Sequence, residues 1–192
     1  MAEQPGTRTL LTRLVCGGTI SWGSIVMATP VGNDNFPDMI RLRGHTLLCL
    51  QGFRGEGYSA EFIANMAAIH RTLADHPEML VEVLASPDAV CLACPHRHPS
   101  GCTLIGERSE EEMIEQDREV LRRLGLKVGE RLRWQDILAR IRTSVTGDDL
   151  LSICGNCRWL PLGYCREGIN HLHHPSQDST AGLVSPPSSR QG

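Results

Sequence analysis

Two stretches of this chain place cysteines by the same ruler. CLACPHRHPSGC (91–102) and CGNCRWLPLGYC (154–165) each carry them at offsets 0, +3 and +11, with little else in common. A CxxC pair sits on one tight turn and brings two soft sulfurs to one point. That is the donor chemistry favoured by zinc, cuprous copper and iron–sulfur clusters. Two such pairs, each followed eight residues on by a third cysteine, are a strong signal for metal or cluster binding by Cys91, Cys94, Cys102, Cys154, Cys157 and Cys165. The spacing is not the C-x2-C-x2-C-x3-C run of bacterial ferredoxins. Pro95, directly after Cys94, removes a backbone donor and stiffens the first turn.

Eight cysteines in 192 residues are more than an intracellular core needs. They call for metal, redox chemistry or disulfides. Internally bonded CxxC pairs close tight, strained loops and make poor structural staples, which argues against an exported, disulfide-bonded protein. The net charge of −3 gives no reason to expect nucleic acid or an anionic membrane as partner. No run of 18 apolar residues is present, so no transmembrane helix is expected. The expected compartment is the cytoplasm. Only eight aromatic residues occur, so the core must be mostly aliphatic.

The ends differ from the middle. Residues 1–38 include a mildly apolar, Gly- and Ser-rich stretch (10–28) interrupted by Arg13. It reads as a non-folded extension or a mis-assigned start, with a poor signal peptide as the alternative. Residues 173–192 are polar and Pro/Ser-rich, too poor in apolar groups to offset their ordering entropy, and are expected to be disordered. One cysteine-rich domain over 39–172 remains, long enough for a single core.

Within it four helices are expected. The first is short, from about His45 to Phe53. The second runs from Ser59 to Asp75, with Phe62, Met66, Ile69 and Leu73 on one face and a stop at His76-Pro77. The third begins at a capping box, Ser109 with Glu112, carries three glutamates in its first turn and stops at Gly125. Its inner face would be Met113, Val120, Leu121 and Leu124. The fourth covers Trp134 to Thr143, with Ile137, Leu138 and Ile141 inward. Met79–Leu84 reads as a strand, and Lys127–Leu132 as a second short one. The fold class is therefore mainly α with a little β, a small α+β domain built round a metal or cluster. No nucleotide-binding glycine loop and no HExxH appear, and no catalytic constellation can be picked out.

One further thiol lies in RLRGHTLLCLQGF (41–53). His45 and Cys49 are four apart and would share a helix face. On spacing alone Cys49 is as well explained as a small core residue amid Leu47, Leu48 and Leu50, and His45 as a polar cap. His96 and His98, inside the first module, or His171, six residues after Cys165, could complete a zinc site of three thiolates and one imidazole. Such loop histidines are more often solvated. His70 reads as structural, and His173 and His174 as part of the tail.

The stretch IRLRGHTLLCLQGFRGEGYSAEF (40–62), followed by the CxxC…C module and the late CGNCRW…YC, resembles a bacterial and archaeal family of domains of unknown function, number 1284. Members of that family are described as iron–sulfur-binding. The resemblance covers about residues 39–170 and implies that Cys49 is a ligand. The family commonly reads His-His-Leu-Leu-Cys, whereas Thr46 stands here at the second histidine. His45 and Cys49 match.

The leading expectation is thus an iron–sulfur-cluster protein engaged in electron transfer or redox sensing, with a redox partner protein as its partner. Each cluster, of the 4Fe-4S or 2Fe-2S type, needs four cysteines. Six module cysteines and Cys49 suffice for one cluster, or for two if a histidine such as His45 supplies the eighth ligand. One cluster drawing CxxC pairs from both modules is the simplest arrangement. The alternative is a structural zinc module serving as an interaction domain.

Overall fold

The structure, a computed structural model, describes residues 38–173. The expectations for residues 1–37 and 174–192, with Cys16 and His174, lie outside the described residues.

Strand β1 (Met39–Arg43) alternates so that Ile40 and Leu42 point into the core. It runs parallel to β2 (Leu80–Leu84), with Leu42 opposite Val83. A parallel pair cannot be closed by a hairpin. Helices α1 (Gly44–Gly52) and α2 (Ala60–Asp75) fill the crossover. Beyond a 3-10 turn at Val90–Ala93, the short strands β3 (Arg97–His98) and β4 (Gly101–Cys102) form a separate hairpin. Helix α3 (Ser109–Arg123) follows, and then β5 (Arg131–Arg133) pairs antiparallel with β2 to complete a sheet of order β1-β2-β5. Helices α4 (Trp134–Ser144), α5 (Leu150–Cys154) and α6 (Tyr164–His173) end the described chain. The fold is mainly helical with two small sheets, a small α+β arrangement.

The periodic helices fall where the pattern predicted them. Ser59 caps α2, its Oγ accepting from the Phe62 N–H at 3.2 Å. Phe62, Met66, Ile69 and Leu73 are its buried face. Ile137 and Ile141 of α4 are fully buried, and Leu138 packs against the same core. Helix α3 stops in a Schellman turn: Gly125 has φ +64°, Leu126 N–H donates to the Leu121 carbonyl at 2.8 Å, and Gly125 N–H to that of Arg122 at 3.2 Å. Fully buried aliphatic side chains such as Leu42, Leu47, Val83 and Ile137 each contribute about 1.5–3 kcal/mol over an exposed position.

Four sequence expectations are corrected. The capping box at Ser109 does not form: Arg108 precedes the helix without a side-chain cap. Ser109 Oγ instead accepts from Ile105 N–H at 3.2 Å and donates to Cys102 Sγ at 3.4 Å. The second short strand is Arg131–Arg133 rather than 127–132, because residues 127–130 form a turn in which Glu130 N–H donates to the Lys127 carbonyl. His173, assigned to the tail, is the last residue of α6, and its Nε2 donates to the Val145 carbonyl at 2.8 Å. His45 is not a helix cap, since Arg43 occupies that position.

Two crossings bring backbones together. A Cβ on Gly44 would strike the backbone of Asp117 in α3, and one on Gly52 the backbone of Cys165 in α6. Across the same α1–α6 contact, a Cβ on Gly168 would meet the Gln51 carbonyl oxygen. Only glycine permits this approach. It sets Cys49, one turn before Gly52, beside Cys165. No described helix is long and apolar enough to cross a membrane.

Candidate functional site

All seven described cysteines are free, half-buried and set around one cavity of about 1010 Å³. The late module reaches it through α5, a turn and α6. Cys157 N–H donates to the Cys154 carbonyl at 2.7 Å, which closes the CxxC turn. A 3-10 turn at Leu160–Leu162 and the left-handed Gly163 (φ +78°) then swing Cys165 back as the second residue of α6. In the early module the 3-10 turn holds the pair, Cys94 N–H donating to the Cys91 carbonyl at 3.1 Å. The β3–β4 hairpin returns Cys102 opposite Arg97.

Two sets of thiols act on one another: Cys49 with Cys154, Cys157 and Cys165, and Cys94 with Cys102. Burial drives the Cys49 pKa well up, and the next largest causes are the thiols of Cys165, Cys154 and Cys157. Burial, then Cys157 and Cys165, pushes Cys154 up to about 11. Cys165 is likewise raised, by burial and then Cys157. Cys94 is raised by burial and, among the other thiols, by Cys102. Cys91 is pushed to about 12 by burial and then by Asp88. Buried thiols that crowd one another resist ionisation as free groups, whereas a bound cation would reverse that balance.

Tyr58 stands between the two groups. Its ring meets Trp159 of the late module at 4.6 Å, His96 of the early module at 4.9 Å and Phe62 at 5.1 Å, each edge-on. Burial, then thiols of both groups, raises its pKa. Trp159 and Tyr164 also line the cavity.

Beneath the early module lies a buried charge network that sequence reasoning missed. The Arg43 side chain is 2 % exposed, and the residue meets three carboxylates, two at its guanidinium and one at its backbone N–H. Asp88 accepts from the Arg43 backbone N–H at 3.0 Å, Asp117 from Nε at 2.7 Å and Glu110 from Nη2 at 3.3 Å. Burial opposes the guanidinium charge, but the charge and hydrogen bond of Asp117, followed by Glu110, outweigh it, and the Arg43 pKa rises. Each carboxylate then uses its other oxygen on the site. Asp88 accepts from Cys91 N–H at 3.0 Å, Glu110 from Cys102 N–H at 2.6 Å, and Asp117 from both the backbone N–H (2.9 Å) and Nδ1 (2.8 Å) of His45. The one sequence signal was Asp117 itself, a carboxylate in the middle of the inner face of α3.

His45 lines the cavity together with Cys49. His96 lies against Tyr58, and His98 is exposed and bonded to Ser100 Oγ at 2.8 Å. His171 is exposed on α6. These three weaker zinc candidates do not line the cavity. Thr46 is buried at its edge. Among the described residues no three His, Cys, Asp or Glu side chains converge on a single ion position. Seven soft thiols around a cavity are nonetheless a donor set suited to an iron–sulfur cluster or other soft metal centre.

Fold and site together define a small, mainly helical α+β protein with a thiol-lined cavity. The chain belongs to the family described as "Protein of unknown function (DUF1284)", whose profile matches residues 57–163. That span includes Cys91, Cys94, Cys102, Cys154 and Cys157 and leaves His45, Cys49 and Cys165 outside it. Neither the curated proteins nor the solved structures gave a match to the chain.

Proposed function

We propose that this chain is an iron–sulfur-cluster protein that transfers electrons or senses redox state, with a redox partner protein. The observation that carries this reading is the assembly of all seven described thiols around one cavity. A cluster spreads its ligands round an inorganic core, so its thiols need not meet at one ion position, as zinc requires. The four thiols best disposed to share a cluster are Cys49, Cys154, Cys157 and Cys165. Their charges act on one another, and the backbone contact between α1 and α6 brings Cys165 close to the helix that carries Cys49. The raised pKa values argue against free reactive thiols, since reactive cysteines need depressed values. Tyr58, Trp159 and Tyr164 supply an apolar wall of the kind that limits solvent access and tunes potential.

The test is anaerobic purification of the full chain, its visible absorption spectrum, and assay of iron, sulfide and zinc per chain. A brown protein with matching iron and acid-labile sulfide is the expected result. Stoichiometric zinc without sulfide or colour would replace the cluster with a structural zinc module.

A further inference from the structure

The Arg43 network does more than stabilise the core. Each of its three carboxylates has one oxygen on Arg43 and the other on a residue beside the cavity: Asp88 on Cys91, Glu110 on Cys102, Asp117 on His45. Two of those residues belong to the early cysteine module, and the third is a histidine held by the same hub. Among the described residues the only hydrogen-bond partner of the His45 ring is Asp117, at Nδ1. An ionised carboxylate only accepts, so Nδ1 is the donor, and Nε2 is the ring nitrogen without a partner among the described residues. A carboxylate behind the far nitrogen of an imidazole is the usual support of a metal-bound histidine: it fixes the tautomer, the ring orientation and the basicity.

The early module also has an odd number of donors. Cys91, Cys94 and Cys102 are three thiols, one short of a cluster's four ligands, while Cys49 and the late module already make four. Seven thiols and one imidazole are two complete sets.

We infer that Cys91, Cys94, Cys102 and Nε2 of His45 form a second ligand set, which takes a second iron–sulfur cluster with mixed sulfur and nitrogen ligation. This rests on the cluster reading above and extends it. The chain's own contribution is to hold the imidazole: Asp117 keeps Nδ1 protonated and, through Arg43, ties its position to the backbones of Cys91 and Cys102. Ser109 adds a hydrogen bond to Cys102 Sγ at 3.4 Å. Nitrogen in place of one thiolate raises a cluster's potential, so the two clusters would differ in potential within one cavity.

The experiment is pulsed electron paramagnetic resonance on the reduced, anaerobically purified full chain, with histidine labelled selectively with nitrogen-15 or left unlabelled. The expected result is a histidine nitrogen coupling that changes with the label. It vanishes in His45→Ala and persists in Cys157→Ala. Iron content should fall by about half in Cys94→Ala if each cluster is lost separately. His45→Cys should keep the full iron content, lose the nitrogen coupling and shift one potential downward. Circular dichroism confirms that each variant folds, and the labelled wild-type protein answers the question without any substitution. Iron and sulfide without a histidine coupling overturn the second site and leave the first reading standing. A chain with neither iron nor sulfide overturns both.

Discussion

Arg43 keeps its charge where almost no water reaches it because Asp117, Glu110 and Asp88 meet its side chain or backbone. Removing one partner of a buried pair leaves the other charge uncompensated, which costs far more than the pair itself contributes. Asp117→Asn keeps the shape and deletes the charge, and it should destabilise the fold by about 3–5 kcal/mol in a urea titration. A loss below about 1 kcal/mol, the range of exposed pairs, would show that the network is not essential to the fold. This part of the site was barely legible in the sequence. Asp117 stands at a position of α3 where the 3.6-residue period calls for an apolar side chain, between Met113 and Leu121. Such a residue signals a buried partner without naming it. The glutamates at the start of α3 complement the helix dipole in the sequence pattern, yet Glu110 has two specific partners that lie 67 and 8 residues away in the chain. Cysteine spacing, by contrast, is local, and it marked six of the seven cavity thiols directly.

Among the elements, α1 and α6 matter most to the site. They touch at backbone distance through Gly52 and Gly168, and the contact sets Cys49 beside Cys165. Gly52→Ala inserts a methyl group where the Cys165 backbone lies. It should cost about 1–3 kcal/mol by overpacking and, on the proposed cluster reading, lower the iron per chain, read by denaturant titration and metal assay. An unchanged metal content would detach this contact from the site. Helices with a long apolar period, α2 and α4, were legible in full, since Phe62, Met66, Ile69, Leu73, Ile137 and Ile141 declare a face. Helix α6 was not. Ile169 is its one buried residue, and its packing relies on the absence of a side chain at Gly168, which leaves no periodic trace. Helix α5, five residues long, is too short for a period to show. Strand β1 was hidden because a five-residue stretch becomes a strand only when β2, 41 residues on in register, pairs with it.

The whole molecule divides by what holds it. The sheet and α2 rest on aliphatic packing, whereas the segments around 90–105 and 150–165 are turns, short strands and a five-residue helix gathered round the thiols. Removal of the proposed cluster should therefore act unevenly. Hydrogen exchange of the metal-depleted protein should rise in those two segments and in α6, and stay close to its holo level in β2 and α2. Uniform exchange in both states would mean that apolar packing alone orders the site. The sequence could show that metal was expected, but not that the cavity draws its wall from the two ends of the domain. His45 and Cys49 come from α1, and Cys165 from α6, the first and last helices among the described residues. Chain order then imposes a timetable on synthesis. Cys49 is made 116 residues before the Cys165 thiol it neighbours. A ribosome adding about 5–20 residues per second leaves that thiol without its neighbour for several seconds. Until α6 emerges the cavity lacks a wall, so on the cluster reading proposed above the late thiol set is complete only after Cys165 has been made.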